Sequence, residues 1–127
     1  MKTYFVWYLL FLTVVIHSAL ATTLYVDLNN QTGREDGSQA RPYNTIQEAI
    51  DNASEGNTIL VLPGVYRGLG NVEITSSKSV TLKSKEGHNQ TVIDGSNLLS
   101  QTAISEDFNG ILEGFTVQNF GYGLAAK

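Results

Sequence analysis

Two acidic residues stand in matching short patterns and are the first candidates for chemistry. Asp94 and Glu113 each follow two apolar residues and precede a glycine. If the two segments stack as neighbouring strands, the two carboxylates lie on the order of 5 Å apart. Such a pair could bind calcium or shift each other's pKa. The glycines that follow favour instead two side chains that point outward at turns, so we predict neither a catalytic residue nor a metal ligand.

The other ionisable candidates lack partners. His88 lies in a polar loop, and the sequence contains no His or Cys cluster, so we expect a solvated loop residue. The acidic residues between 27 and 36 lack the spacing of an EF-hand calcium loop, so a surface loop is expected there. We also expect solvated side chains for Lys78, Lys83 and Lys85.

Two tyrosines are candidate carbohydrate-binding residues, because an aromatic ring presents a flat apolar surface to a sugar. Tyr66 is expected to pack at a corner of the fold. Tyr122 lies between two glycines and is the more open of the two.

Residues 1–21 have the outline of a secretory signal peptide. Lys2 precedes an apolar run over 4–16, and Ala19 to Ala21 gives a small-x-small cleavage pattern. An uncleaved anchor is the alternative, but the run is shorter than the roughly 18 to 20 apolar residues that a span needs. We therefore predict a secreted, extracellular protein with no membrane span after cleavage. The predicted glycosylation sites are Asn30, Asn52 and Asn89.

Charge and composition narrow the classes of partner. The 127-residue chain has a formal net charge of −4, and loss of Lys2 with the leader makes the remainder more negative. An acidic domain with scattered basic residues is a poor candidate for nucleic-acid binding. The chain has no cysteine, so it lacks the disulfides that stabilise most small secreted domains. Stacked strands with continuous hydrogen-bond ladders are the expected substitute.

The stretch 43–66 predicts a short helix, a turn and a buried strand. Thr45 is a candidate N-cap, and Glu48 is placed to complete a capping box. Gly56 is placed to end the helix, the apolar run 59–62 predicts a strand buried on both faces, and Pro63-Gly64 stops it. One apolar stripe marks the predicted helix 45–53: Ile46, Ala49, Ile50 and Ala53.

Short β-prone segments recur at a period near 20 residues. Segment 91–95 aligns with 110–114, 58–61 with 79–82, and 102–104 with 123–125. We therefore predict an all-β fold, a parallel β-helix of about three coils over 22–127, whose open first end the helix covers. The chain stops inside a predicted repeat, so an incomplete domain is expected. The predicted strands are 22–27, 71–75, 79–83, 91–94, 102–105, 111–113, 115–117 and 123–125, and 28–41 is a predicted loop.

Eight short motifs occur in a fixed order along this stretch. They are Tyr25 to Asp27, Asp36 to Ser38, Pro42-Tyr43, Thr45 to Ile50, Gly56 to Ile59, Leu62 to Tyr66, Val80 to Leu82 and Val92 to Gly95. Their order resembles the N-terminal portion of the pectin-lyase-like superfamily, over 24–121. The resemblance implies a right-handed parallel β-helix, as in pectate lyases, pectin methylesterases and many non-catalytic surface proteins. The motifs are specific to the fold and not to any activity.

In the enzymes of that superfamily the catalytic groups lie on later coils, and no position here matches those motifs. The resemblance therefore transfers no catalytic residue, and it implies calcium as a cofactor only by analogy with the lyases. It gives Asn119, near the end of 113–120, the structural role of a ladder asparagine.

Three functions follow from these observations. The favoured one is a secreted, non-catalytic domain that binds polysaccharide or another extracellular surface. The alternatives are the N-terminal fragment of a pectate lyase or pectin methylesterase whose catalytic coils are absent, and a cell-surface adhesin-like repeat protein. The sequence predicts no cofactor and leaves the oligomeric state open.

Overall fold

Seven parallel strands in two sheets and one short helix make up the described part of the chain, residues 20–96 and 102–121 of a computed structural model. This mostly β composition agrees with the prediction. The predicted signal peptide, apart from its last two residues, and the predicted strand 123–125 lie outside these ranges. The elements are β1 (Thr23–Val26), α1 (Ile46–Asn52), β2 (Thr58–Val61), β3 (Gly64–Arg67), β4 (Ile74–Ser84), β5 (Thr91–Asp94), β6 (Ile104–Glu113) and β7 (Thr116–Gln118).

The chain alternates between the two sheets. One sheet has the order β1-β2-β4-β6 and the other has the order β3-β5-β7. From β4 onward each strand pairs in parallel with the strand two positions earlier. Parallel neighbours need a crossover between them. From β2 onward each crossover contains a strand of the opposite sheet, whereas the crossover from β1 to β2 contains α1.

Within the described ranges, no helix has the length and apolar character needed to cross a membrane.

In-register pairing stacks apolar side chains into two columns in the interior. The first column contains Leu24, Ile59, Leu82 and Leu112, and the second contains Tyr66, Ile93 and Val117. The middle members, Ile59, Leu82 and Ile93, have no exposed surface. Burying one such side chain contributes about 1.5 to 3 kcal/mol, so these columns are the main source of stability in a chain without disulfides.

The observed strands correct several predicted boundaries. Predicted segments 71–75 and 79–83 overlap a single strand, β4, which begins at Ile74 and whose register shifts between Ile74 and Val80. Segments 102–105 and 111–113 likewise overlap a single strand, β6, which begins at Ile104. Strand β3 was not predicted, because it begins directly after the turn at Pro63 and is only four residues long.

The predicted repeat registers are wrong. Segment 91–95 does not stack on 110–114, because β5 pairs with β3 and β7 while Ile111 pairs with Thr81 in the other sheet. Segment 58–61 pairs with 81–84, two residues beyond the predicted partner. The third predicted alignment ends in 123–125, outside the described residues. The inward apolar side chains set the register, and the corners between strands vary in length.

Strand β2 is buried on one face only, in contrast to the prediction. Ile59 and Val61 have no exposed surface, whereas Thr58 and Leu60 point the other way and are half-buried. The outer side of the four-stranded sheet is therefore open at this strand.

Helix α1 closes the interior beside β1, β2 and β4. The predicted stripe is confirmed, since its members are at most 6% exposed. Thr45 is the N-cap, and its hydroxyl accepts a hydrogen bond from the Glu48 amide at 3.3 Å. Gly56 does not end the helix, because the C-cap is Ala53 and Gly56 lies in the following turn with a φ of +79°.

The loop before β4 completes the N-terminus of α1. The amide oxygen of Asn71 accepts a hydrogen bond from the Ile46 amide at 3.0 Å, and the Gly70 carbonyl accepts one from the Gln47 amide at 2.8 Å. The Asn71 side chain also donates to the Arg67 carbonyl at 3.1 Å. Two amides that a helix leaves unpaired at its first turn thus find partners in the loop.

Two side-chain contacts join α1 to the corner of β4. Gln47 donates to the Thr75 carbonyl at 3.1 Å and accepts from the Thr75 amide at 3.0 Å, which imitates strand pairing. The Lys78 ammonium donates to the carbonyls of Asp51 and Ala53 at 2.9 and 2.8 Å. Lys78 is therefore not simply solvated as predicted, and its positive charge lies at the C-terminal end of the helix, where the dipole favours it.

The predicted loop 28–41 and the residues after it protect the outer edge of β1. The Tyr25 amide donates to the Gly37 carbonyl and the Tyr43 amide donates to the Tyr25 carbonyl, both at 2.9 Å. Gly37 has a φ of +76°, and a Cβ there would lie 2.6 Å from the Tyr43 ring. Glycine is required at this position because the backbone approaches the ring so closely.

The opposite end of the two columns is less covered by the residues that the structure describes. Leu112 and Val117 are half-buried, whereas their partners one layer back, Leu82 and Ile93, are fully buried. Ile111 is 61% exposed. Among residues 20–96 and 102–121, the apolar interior is therefore closed at the α1 end and less covered at β6 and β7.

The substitution Asn71→Ala tests the closure of the helix N-terminus. It leaves the Ile46 amide without its partner in a buried setting, so we expect the free energy of unfolding to fall by about 1 to 2 kcal/mol. Urea unfolding followed by circular dichroism measures this change. Asn109→Ala is the matched control, because Asn109 is exposed and makes only a 3.4 Å contact with the Ser77 carbonyl. Equal stability of the two variants would contradict the assigned role.

Candidate functional site

Asp94, the last residue of β5, carries a buried carboxylate with an exposed fraction of 1%. Its Oδ2 atom accepts hydrogen bonds from Nε and Nη2 of Arg67 at 3.0 and 2.8 Å and from Nε2 of Gln118 at 3.2 Å. Its Oδ1 atom accepts from the amide and hydroxyl of Ser96 at 2.9 and 2.6 Å and from Nδ2 of Asn119 at 2.9 Å. Six donors therefore surround one carboxylate.

Strand register brings three of these residues together. Arg67, Asp94 and Gln118 are Cα partners across β3, β5 and β7. Ser96 folds back onto Asp94 in a turn of the kind that Asp favours after a strand. Asn119 has a left-handed φ of +62°, which asparagine tolerates better than most residues, and its amide also donates to the Ser96 hydroxyl at 3.1 Å.

The hydrogen bonds from Ser96 and Asn119, followed by those from Arg67, hold the pKa of Asp94 well below its usual range. The carboxylate is therefore ionised across the whole physiological pH range. Because its oxygens already accept six hydrogen bonds, it is poorly suited to take a proton from a substrate. We call Arg67, Asp94, Ser96, Gln118 and Asn119 the Asp94 cluster, and its immediate effect is to tie the three strands together and hold Arg67 in place.

The pairing of Asp94 with Glu113, considered from the sequence but not favoured there, does not occur. Glu113 lies on β6 in the other sheet, where its carboxylate pairs with Lys83 at 2.8 Å on the surface. Asp94 does point outward from its strand beside a turn, as expected, but its carboxylate is buried because neighbouring side chains cover it. Sequence reasoning missed this cluster, whose partners lie 24 and 27 residues from Asp94.

The Asp94 cluster occupies one row of the outer face of the three-stranded sheet. Because Tyr66, Ile93 and Val117 point inward, the alternate residues of the same strands point outward. The outer rows are Val65, Val92 and Thr116, and beside them Arg67, Asp94 and Gln118.

Arg67 is the accessible cation of this outer face. Its side chain is 54% exposed although it pairs with the buried Asp94. Its Nε and Nη2 atoms bond Asp94, while Nη1 makes no hydrogen bond to the residues described here. Val65, in the adjacent row, is 42% exposed. A guanidinium held in one orientation thus lies beside an apolar strip.

Tyr66 does not present a surface to a sugar. The ring is completely buried, and its hydroxyl donates to the Leu62 carbonyl at 2.9 Å. Burial raises the pKa of Tyr66 to about 12. The expectation of packing is confirmed and the candidate role in binding is wrong, because no face of the ring is accessible. The other candidate, Tyr122, lies outside the described residues.

His88 is an exposed loop residue, as predicted. Its backbone carbonyl accepts a hydrogen bond from the Thr116 hydroxyl at 2.8 Å, which links this loop to β7. Within residues 20–96 and 102–121, no three His, Cys, Asp or Glu side chains are grouped so that they could hold a metal ion.

The three sequons differ in their surroundings. The side-chain amide of Asn30 donates to the Pro42 carbonyl at 2.5 Å, and that of Asn52 donates to the Glu48 carbonyl at 2.9 Å. Asn89 is exposed in the loop before β5. Glycosylation at all three stays a prediction.

Comparisons of the chain with protein-family models, with curated proteins and with solved structures found no significant match.

The substitution Asp94→Asn tests the cluster. An asparagine turns one acceptor oxygen into a donor that faces other donors, so we expect the free energy of unfolding near neutral pH to fall by about 3 kcal/mol. A second effect is a change in acid sensitivity. A carboxylate with a lowered folded pKa adds stability above its ordinary pKa, near 4, and that stability is lost as the pH falls.

Urea unfolding at several pH values between about 2 and about 7 measures both effects. The wild-type protein should lose stability on acidification more steeply than Asp94→Asn. Asp107→Asn is the control, because Asp107 is exposed on β6. If Asp94→Asn unfolds with the same acid dependence as the wild type, the cluster does not contribute in this way.

Proposed function

We propose that the chain forms coils of a right-handed parallel β-helix domain that is secreted and binds an extended polysaccharide without cleaving it. The proposed binding surface is the outer face of β3, β5 and β7. The observation that carries the proposal is the pairing of the half-exposed Arg67 with the buried Asp94, beside an apolar row that begins at Val65.

Strand connectivity supports the β-helix. From β2 onward the strands alternate between two parallel sheets, and from β4 onward each pairs with the strand two positions earlier, which is the path expected of a coil. Crossovers between parallel strands are right-handed in about 98% of cases, which favours a right-handed coil. The motif order described above agrees with the same architecture, and the apolar leader with its small-x-small pattern supports secretion.

The chemistry of the outer face supports binding to sugars. Strands of a parallel sheet lie about 4.8 Å apart, so this face offers regularly spaced contacts along the direction in which an extended chain would lie. In the outer row of Val65, Val92 and Thr116, the two valines offer an apolar surface that suits the C–H surface of a sugar ring. Arg67 and Gln118 can donate to hydroxyl or carboxylate oxygens. Because Asp94 fixes the guanidinium, less conformational entropy is lost when a ligand binds.

The state of Asp94 favours binding over catalysis. A general base needs a pKa near the working pH and a free lone pair within reach of the substrate. Asp94 is buried, ionised and already accepts six hydrogen bonds. The alternative is the N-terminal fragment of a lyase or esterase. That alternative predicts that the protein cleaves or demethylates the polysaccharide, whereas the proposal predicts that the protein binds the polysaccharide and leaves it intact.

Substitutions on the outer face test the proposal. Arg67→Gln should weaken polysaccharide binding by roughly tenfold, since a hydrogen bond to a charged group contributes about 1.5 kcal/mol or more. Val65→Ser removes apolar contact without touching the Asp94 cluster, so it should weaken binding several-fold and leave stability unchanged. Affinity electrophoresis in gels that contain polygalacturonate or a neutral glucan measures the dissociation constant.

Arg34→Gln is the matched control, because Arg34 is exposed in the loop 28–41 and lies on no part of the sheet face. It should bind like the wild type. The same polymers, incubated with the protein, are checked for unsaturated products by ultraviolet absorbance and for released methanol. Product formation would favour the enzyme alternative, and failure of both polymers to retard the protein would refute this choice of ligand.

A further inference from the structure

The Asp94 cluster determines which hydrogen-bonding groups remain available on the outer face of β3, β5 and β7. The Asp94 carboxylate is 1% exposed, and an ionised carboxylate accepts hydrogen bonds without donating any. Every side chain that bonds it therefore turns an N–H or O–H group inward. The groups left for a ligand are those that Asp94 does not use.

The two amide side chains of the cluster present their oxygens outward. Nδ2 of Asn119 donates to Asp94 at 2.9 Å and to the Ser96 hydroxyl at 3.1 Å, so both of its N–H groups are used. Nε2 of Gln118 donates to Asp94 at 3.2 Å and keeps one N–H group. Because each amide nitrogen is turned toward the carboxylate, each amide oxygen is directed away from it. Both residues are exposed, so a ligand meets two acceptor oxygens here.

Arg67 adds donors to this face, but Asp94 compensates much of its charge. Nε and Nη2 of Arg67 bond Oδ2 of Asp94 at 3.0 and 2.8 Å, so a ligand reaches the opposite edge of the guanidinium. A ligand carboxylate at that edge would lie about 4 Å from the guanidinium and roughly twice as far from Asp94, whose repulsion cancels about half of the attraction. The net charge of the chain, −4, adds further repulsion.

Hydroxyl groups fit these surroundings better than carboxylates do. A hydroxyl can accept from the edge of Arg67 and donate to an amide oxygen. A carboxylate would meet the oxygens of Gln118 and Asn119 with no hydrogen between them. It would also lose hydration in exchange for an attraction that Asp94 has weakened.

We infer that Asp94 is a positioning residue that makes the outer face of β3, β5 and β7 select a neutral polysaccharide over a polyuronate. The inference rests on the proposed function, because it names the class of polymer that this face binds. Asp94 does not touch the ligand. It acts by compensating the charge of Arg67 and by fixing the direction of the two amides.

Two pairs of polymers test this selection on the wild-type protein. One pair is a neutral glucan and the same glucan with its primary alcohols oxidised to carboxylates, and the other is polygalacturonate and its carboxyl-reduced form. The members of each pair differ only in that group. In affinity electrophoresis, the neutral member of a pair that retards the protein should bind roughly tenfold more tightly, since an unmatched acceptor costs about that factor. Binding of the neutral member should depend little on salt.

Two variants of the cluster should change the preference. Asp94→Asn removes the compensating charge and lets the amides turn, so the preference for the neutral polymer should fall roughly tenfold and polyuronate binding should become sensitive to salt. Gln118→Lys keeps a donor to Asp94 and replaces the outward oxygen with an ammonium, so it should shift the preference in the same direction. This second variant keeps the test open, because Asp94→Asn lowers stability. A purely structural role of Asp94 would weaken the binding of both members of a pair equally.

Asp107→Asn and Gln39→Lys are the matched controls, because they make the same changes of charge at exposed positions outside the smaller sheet. Both should keep the wild-type preference. Equal or tighter binding of the polyuronate by the wild type, or an unchanged preference in both cluster variants, would overturn the inference and leave the proposed function standing. Retardation by none of the polymers would refute the proposed function, and this inference with it.

Discussion

The fold depends on keeping seven strands, five of them only three or four residues long, in parallel register within two sheets. The side-chain period of a strand is two, so a slip of one residue in any strand would turn its inward column toward solvent. Ile59 and Leu82, and in the other sheet Tyr66 and Ile93, are completely buried only in the observed pairing. Because the chain passes from one sheet to the other at nearly every strand, a slip in one sheet would displace the other. Register is thus a property of the whole stack.

A stack of parallel strands has ends, and three polar side chains satisfy backbone groups at the end that α1 covers. Asn71 receives the first amide of α1, Gln47 pairs with the backbone of Thr75, and Lys78 covers the last carbonyls of the helix. Each replaces a main-chain partner that a further strand or helical turn would have supplied. The helix is only seven residues long and would be unstable alone, so these contacts and its buried stripe hold it together.

The sequence was sufficient to predict features that local rules determine. The N-cap at Thr45 and the apolar stripe of α1 depend on residues within two turns of one another, and both predictions were correct. The repeat registers failed because the distance between partners is not constant: it is 30 residues between Lys83 and Glu113, and 24 between Asp94 and Gln118. Short apolar segments resemble one another at many spacings, and only packing selects among them.

The prediction for the surroundings of Asp94 was wrong for a related reason. An acidic residue followed by glycine normally indicates an exposed turn, and nothing beside Asp94 in sequence shows that Arg67 and Gln118 will cover it. The available signal in the sequence was one basic, one acidic and one amide residue, each at the end of a short strand: Arg67, Asp94 and Gln118. They become meaningful only when the three strands are known to pair in register.

Asp94 illustrates how the environment of a carboxylate determines its response to pH. It is surrounded by donors, so its charged form is favoured and its stabilising effect disappears in strong acid. Because the donors come from residues on β3 and β7 as well as from the turn after β5, the same carboxylate joins all three strands of the smaller sheet. The contribution of this group to the stability of the sheet is therefore complete only above the ordinary pKa of an aspartate.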